Sequence, residues 1–427
     1  MSSNQAPQSE GRLLIRDVLR VARGGLIGQA PFVLLSPAIT RLYSPSQIGI
    51  YGLAMAFVGV AAPVAGLRFE LAAISAPESA LSRNLLSLSA LLSLPVSLLC
   101  GAALCALKSA GIASYGSLSW PMVLLTVAAI WSSGIYSAMR CGAVRRYEFR
   151  VVANTLSVQG AARATAPLAL ALLSRGALML ITGEVLARCA SIGMLLSKLR
   201  LGEALAGFRF RWGVLAATAR RYWKYPLLLT PSALIDSLAI AIPIPMVAAL
   251  YGLSAAGTFA LVQRLVMLPA SFMVSSVGDV YHAHATRIAA GASADPGGLM
   301  RSTAARLALF ALAVYVPLAL LAPSCAGWVF GREWAQSGIL ITAMAPACIA
   351  QTVVSPLSRG LLVARKEERK LVADVACLFL PSLSLYFASR LPLPGAITAY
   401  SIGSVAAFGI YFCVIAWSQR KVAHRSS

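Results

Sequence analysis

The chain has 427 residues, of which 59% are hydrophobic and only 12% charged, with a formal net charge of +22. Soluble domains run near half apolar and about a quarter charged. So few charges exclude the two or three water-soluble domains that the length would otherwise suggest.

Apolar runs recur along the chain instead, each close to the ~20 residues that carry a helix across ~30 Å of hydrocarbon. In order they fall at 24–40, 46–66, 84–106, 119–139, 152–173, 177–197, 226–250, 254–278, 302–323, 335–358, 371–389 and 395–417. The fold class they predict is an all-α polytopic membrane protein of twelve transmembrane helices. The opening "MSSNQAPQSEGR" is too polar for a cleavable signal, and the first run is long enough to stay as a span. Pro31, Pro37, Pro63, Pro95, Pro167, Pro231, Pro243, Pro245, Pro269, Pro317 and Pro346 lie within the runs. Each removes a backbone hydrogen bond and can bend its helix.

Lys and Arg orient the spans. With the N-terminus inside, the inner segments carry 27 of them and the outer segments 5, while Arg163, Arg188, Arg264 and Arg306 fall inside runs. That asymmetry obeys the positive-inside rule and puts both termini in the cytoplasm. The basic clusters "SAMRCGAVRRYEFR" (137–150) and "ARRYWKYP" (219–226) are accounted for by topology and attraction to anionic membrane lipids, not by nucleic acid. Eight scattered cysteines show no CxxC spacing. His282 and His284 lack a nearby third ligand, so they read as part of a plain cytoplasmic loop at 279–301 and no metal is expected.

An internal repeat divides the runs into two sets of six. "RLYSPSQIGIYGL" (41–53) matches "ALYGLSAAGTFAL" (249–261) at an offset of 208, pairing Leu42, Tyr43, Ser46, Gly49 and Leu53 with Leu250, Tyr251, Ser254, Gly257 and Leu261. "VRRYEFR" (144–150) echoes "VARKEER" (363–369), and "YGSLSW" (115–120) echoes "FGREW" (330–334). An even number of spans per set makes the copies parallel, related by an axis along the membrane normal. The expected organisation is an N-terminal arm at 1–23, six-helix bundles at 24–197 and 226–417, a basic linker at 198–225 and a tail at 418–427.

"PAITRLYSPSQIGIYGLAMAFVGVAAPVAGLRFELAAI" (37–74) resembles the signature of bacterial polysaccharide flippases, the Wzx-type exporters of O-antigen and exopolysaccharide repeat units. Those belong to the multidrug/oligosaccharidyl-lipid/polysaccharide superfamily. The segments 255–287 and 356–370 resemble the family as well. The resemblance implies translocation of a polyprenyl-diphosphate-linked oligosaccharide, with polysaccharide polymerase and glycosyltransferases as partners. It also implies a motif at the inner end of the second span, here Arg68 and Glu70, expected as a local pair within that motif.

Charges inside the apolar runs are the candidate site. Glu184 and Arg188 are spaced i,i+4 on one helix face and can pair. Thr155, Gln159, Arg163 and Pro167 form a stripe on the preceding run, and Asp236 and Arg264 lie in the second set. A charge at the bilayer centre costs about 2.5–3.5 kcal/mol on insertion scales, so each should face protein or a wet cavity. Arg163, Arg188, Arg264 and Gln159 are the candidate substrate-binding residues, because a guanidinium suits phosphate. Glu184 and Asp236 are the candidates for coupling to H+ or Na+. The competing interpretation is interhelical glue. A drug exporter of the same superfamily would favour an acidic cavity. A membrane glycosyltransferase or polymerase would want outer acids, and Glu333 is the only carboxylate in the two longest outer loops.

Overall fold

The computed structural model describes residues 24–25, 27–198, 212–289, 296–363 and 367–423, and no strand occurs among them. Helix α1 (27–42) is followed by α2 (Pro45–Ala61). Next come a short α3 (Phe69–Ser75), α4 (Ser79–Ser109), α5 (Trp120–Arg145), α6 (Phe149–Leu170) and α7 (Ala177–Lys198). Helices α8 (Trp212–Arg221), α9 (Lys224–Ala241), α10 (Pro243–Ala289) and α11 (Pro296–Phe330) continue the chain. It closes with α12 (Gln336–Leu357), α13 (Arg359–Val363), α14 (Glu367–Phe387) and α15 (Leu393–Ala423).

Nine segments among the described residues are long and apolar enough to cross a membrane. One of these, Lys224–Val274, has 51 residues, more than twice what a single crossing needs. Within it the backbone leaves helical geometry at Gly252 (φ 85, ψ 173), a conformation that only glycine adopts without strain. Helix α6 has 22 residues but stands outside the nine because of its polar stripe.

The helices gather into two compact units, Met1–Tyr43 with Ile50–Ala241, and Ser44–Gly49 with Ile242–Ser427. Helix α9, which holds the first part of the seventh apolar run, packs on Ala62–Val64 and α3 and so groups with the first unit, while the rest of the run begins the second. The contact-defined units thus differ from the repeat-defined halves by this helix and by the first turn of α2.

In the first unit α5 is the hub, packing against α3, α4, α6 and α7. Its buried face is built of small residues such as Ala129, Ser133, Gly134 and Ala138, which let the neighbouring backbones come close. The same device joins α1 to α6. A Cβ on Gly28 would overlap the carbonyl of Leu156, and one on Gly160 would overlap that of Gly28. Past the second run the chain turns sharply, with Leu67 (φ 49) and Arg68 (φ 61) both left-handed before α3 starts. Arg145 then holds the far end of α3, its Nη1 donating to the carbonyls of Ala73 (2.9 Å), Ile74 (3.2 Å) and Ala76 (2.6 Å). These are among the acceptors that a helix end leaves unpaired. Helix α8, from the basic linker, lays Leu215 and Thr218 on the unit and leaves Trp212 exposed.

In the second unit α12 plays the hub, against α10, α11 and α15. The stretch expected as a loop at 279–301 is largely helical, since α10 runs on to Ala289 and α11 begins at Pro296. The reason is apolar burial. Tyr281 and Met300 sit in one cluster with Leu357, Leu361, Tyr411 and Ile415, which extends the helices past the apolar runs. His282 and His284 therefore lie exposed on a helix, and no metal-binding group of His, Cys, Asp or Glu occurs among the described residues.

The repeat-matched tyrosines do matching work. Tyr43 donates its hydroxyl to the carbonyl of Pro167 near the end of α6 (2.8 Å). Tyr251 reaches the carbonyls of Ala388, Ser389 and Leu391 just past α14 (3.2, 3.2 and 2.9 Å). The turns before α5 and α12, Ile112–Ser117 and Arg332–Trp334, are both 3-10 helical.

The α1–α6 contact gives a test. Gly160→Val forces the two backbones apart and should destabilise the protein by about 1–3 kcal/mol, the usual range for overpacking. Gly25, whose Cβ position meets nothing within 4 Å, supplies the control as Gly25→Ala. Thermal unfolding in detergent should fall for the first variant and stay put for the second.

Candidate functional site

Helices α6 and α7 form a tight hairpin. A Cβ on Gly183 would come within 3.1 Å of the Pro167 ring, so the bare glycine lets the helices close up there. The next residue, Glu184, is thereby brought against α6. Its side chain is only 3% exposed, and its Oε1 accepts from Arg163 Nη2 at 2.5 Å and from Arg188 Nη2 at 3.0 Å. Arg188 also donates through Nη1 to Ser133 Oγ on α5. The Ser133 hydroxyl is free to accept because its own proton goes to the carbonyl of Ala129 (2.5 Å). Three helices are thus tied by one carboxylate, two guanidiniums and one hydroxyl.

The cluster carries one more positive than negative charge. Its exposure is graded, with Glu184 at 3%, Arg188 at 13% and Arg163 at 32%. The Nε–H groups of Arg163 and Arg188 are buried and have no acceptor among the described residues. They are donors that an anion or a water molecule can engage. Tyr51 and Tyr136 lie near enough to interact with the charge of Arg163, and the Tyr136 hydroxyl is likewise buried with no partner among the described residues.

The expected i,i+4 pair of Glu184 and Arg188 is present, and Arg163 joins it from the preceding helix. Gln159 is half-buried one turn before Arg163 on α6. Asp236 is exposed on α9. Arg264 is half-buried on α10 and belongs to the second unit. Sequence reasoning passed over Ser133, Tyr51 and Tyr136, because a serine or tyrosine in a span carries no signal that separates it from packing residues.

The expected Arg68–Glu70 pair does not form. Glu70 is 2% exposed and accepts from Ser89 Oγ on α4 (2.9 Å) and Ser137 Oγ on α5 (3.4 Å). The left-handed turn at Leu67 and Arg68 places Arg68 ahead of α3 while Glu70, in the first turn of α3, points into the helix packing. Hydroxyl donors, not a cation, satisfy this buried carboxylate.

The fold is that of the transporters of the MOP superfamily. An inward-facing multidrug resistance MATE family transporter superposes with a TM-score of 0.71 at 16% identity, over 94% of this chain and 98% of that one. An outward-facing MATE family transporter gives 0.62 at 15% identity, over 96% of each chain. A MOP superfamily transporter from Pyrococcus furiosus, described by the reverse polarity of its binding pocket, gives 0.59 at 15% identity over 97% of each chain. No curated protein matches the sequence. Residues 38–338, more than half of the chain, match the family described as polysaccharide biosynthesis protein, and the protein belongs to that family.

Removing one partner of a buried ion pair typically costs about 3–5 kcal/mol, because the other charge is left uncompensated. Glu184→Ala strands two guanidiniums, and the amount of folded, membrane-inserted protein should drop steeply. Arg163→Gln leaves Glu184 paired with Arg188, so insertion should stay near normal. Fluorescence-detected size-exclusion of the two variants checks this ordering.

Proposed function

We propose that the protein is a flippase. It moves polyprenyl-diphosphate-linked oligosaccharide repeat units from the inner to the outer leaflet, for assembly of O-antigen, capsule or exopolysaccharide. Family membership in polysaccharide biosynthesis supports the substrate class, and the transporter fold supports movement across the bilayer rather than chemistry on the sugar. In this reading the helices are twelve spans in two parallel six-helix bundles, 24–197 and 226–417, with both termini in the cytoplasm of a bacterial inner membrane. The long segment Lys224–Val274 counts as two crossings broken at Gly252, and α1 and α6 supply the others.

The observation that carries the proposal is the cation excess at Arg163, Glu184 and Arg188. With α6 read as a span, Arg163 lies well inside it, and its side chain is one-third exposed. A guanidinium at that depth cannot face hydrocarbon cheaply, so it lines a wet cavity. Arginine there presents fork-shaped donors to a diphosphate or an acidic sugar. Glu184 offsets part of the charge, so the anion is drawn in without being held too firmly to leave. Gln159 and Arg264 complete the proposed binding set. In this reading the protein works by alternating access, coupled to H+ or Na+ through Glu184 or Asp236.

A drug exporter of the same superfamily is the second reading. Organic cations would want a cavity of the opposite sign, and pocket polarity is the very feature that distinguishes the Pyrococcus relative.

Translocation decides between them. Purified protein in liposomes should carry fluorescent lipid-linked oligosaccharide to a membrane-impermeant sugar-modifying enzyme, with transfer altered by a pH or sodium gradient. Arg188→Ala should abolish transfer while leaving the protein inserted, and Arg188→Lys should recover part of it, since one ammonium can satisfy Glu184 or Ser133. Efflux of organic cations without lipid transfer would establish the exporter. Equal loss of inserted protein in both variants would make the cluster a structural clamp.

A further inference from the structure

A second feature of the first unit lies at the basic ends of α4, α5 and α7. Here the first unit holds a cleft of about 900 Å3. That is near the upper end of the roughly 300–1,000 Å3 range of small-molecule pockets. Its walls are apolar, with Leu86 and Ala90 from α4, Ile135 and Met139 from α5, and Ile192 and Leu196 from α7. Three arginines, Arg83, Arg145 and Arg146, complete the lining, and no Asp or Glu is among the lining residues.

The arginines are not equivalent. Arg145 is committed to the carbonyls at the end of α3 and holds the cleft's shape. Arg83 and Arg146 are exposed. Arg83 makes no hydrogen bond or ion pair within the described residues. Ser87 lies one turn from Arg83 on the same face of α4 and also lines the cleft. The chain therefore turns inward, one or two turns along α4, from an uncompensated cation to aliphatic walls.

We propose that this cleft binds an anionic phospholipid of the surrounding bilayer, its phosphate at Arg83 and Arg146 and an acyl chain along the aliphatic walls. Charge complementarity favours that occupant. A cationic mouth whose lining holds no Asp or Glu takes a phosphate more readily than a zwitterion's ammonium. The apolar depth excludes a free anion as the natural ligand, because an inorganic ion leaves those walls without a partner. The position fits too, since the basic ends of spans lie at headgroup level, where each arginine gains about 1 kcal/mol from anionic lipid. The bound lipid would brace α4 against α5 and α7, the helices that carry Ser89, Ser133, Glu184 and Arg188. The proposal stands independently of what the protein transports.

Native mass spectrometry of the purified full-length protein tests it, with phosphatidylglycerol, phosphatidylcholine, polyprenyl phosphate and inorganic phosphate added in separate samples. Phosphatidylglycerol should remain bound in preference to phosphatidylcholine. Its apparent affinity should fall about fivefold for each arginine removed in Arg83→Gln and Arg146→Gln. Ser87→Trp should block the acyl slot while keeping every charge, so it must also reduce binding. Unchanged binding in these variants, or equal retention of phosphatidylcholine, overturns the proposal. So does preferential retention of polyprenyl phosphate, or displacement of phosphatidylglycerol by inorganic phosphate at comparable concentration. Circular dichroism and size-exclusion profiles matching the parent protein keep the comparison interpretable.

Discussion

The first unit depends on how a membrane protein keeps a carboxylate where lipid can give it no counter-charge. Glu184 is held by two guanidiniums from two helices, and Arg188 passes the constraint to a third through Ser133. Each of these contacts needs the helices close. Gly183 permits that closeness between α6 and α7, and small residues on α5 permit it for the hub. Packing and electrostatics are therefore one problem. The charges specify which faces meet, because any rotation of α6 or α7 would leave an ion unpaired at a depth where that is costly.

The cluster also shows why structure and use need not compete. A pair of opposite charges would suffice to glue two helices. The addition of a second arginine, one-third exposed, and two buried Nε–H groups without acceptors among the described residues exceeds what glue requires. Glu70 is the contrast. It is as deeply buried as Glu184, yet the partners that satisfy it among the described residues are two serine hydroxyls. One carboxylate sits in a site with donors to spare, the other in a closed local network.

The helices were legible in the sequence because the bilayer imposes one length and one polarity on every span. Most of the apolar runs fall on helices among the described residues, displaced by a few residues at their edges, while the seventh, 226–250, is divided between α9 and α10. Where hydropathy had nothing to say, the reading failed. The helical ends of α10 and α11 were read as loop because they are stabilised by a cluster at the ends of the spans, and a polar exterior hides that apolar interior. The Glu184–Arg188 pair was visible because i,i+4 spacing is a property of one helix. The position of Arg163 against Glu184 is a property of two, set by the turn between α6 and α7. The supposed Arg68–Glu70 pair failed for a related reason. Two residues apart in sequence says little once Leu67 and Arg68 turn left-handed, a conformation that neither residue type advertises.

The repeat adds a last constraint. Tyr43 and Tyr251 were matched by sequence alone, and each fastens the turn after its set's first helix to the end of the fifth. The first turn of α2, Ser44–Gly49, groups with the second unit, where Gly49 lies against the backbone at Leu253 and Gly257 against the backbone at Pro45. These four positions are themselves related by the offset of 208, so each copy offers the other the same bare backbone. A side chain at either glycine would act on both contacts at once, because the two are reciprocal. The intramembrane charges obey no such symmetry, for the Arg163–Glu184–Arg188 cluster belongs to one unit. The turns are thus matched between the two copies, while this cluster of charges ties together the helices of one unit.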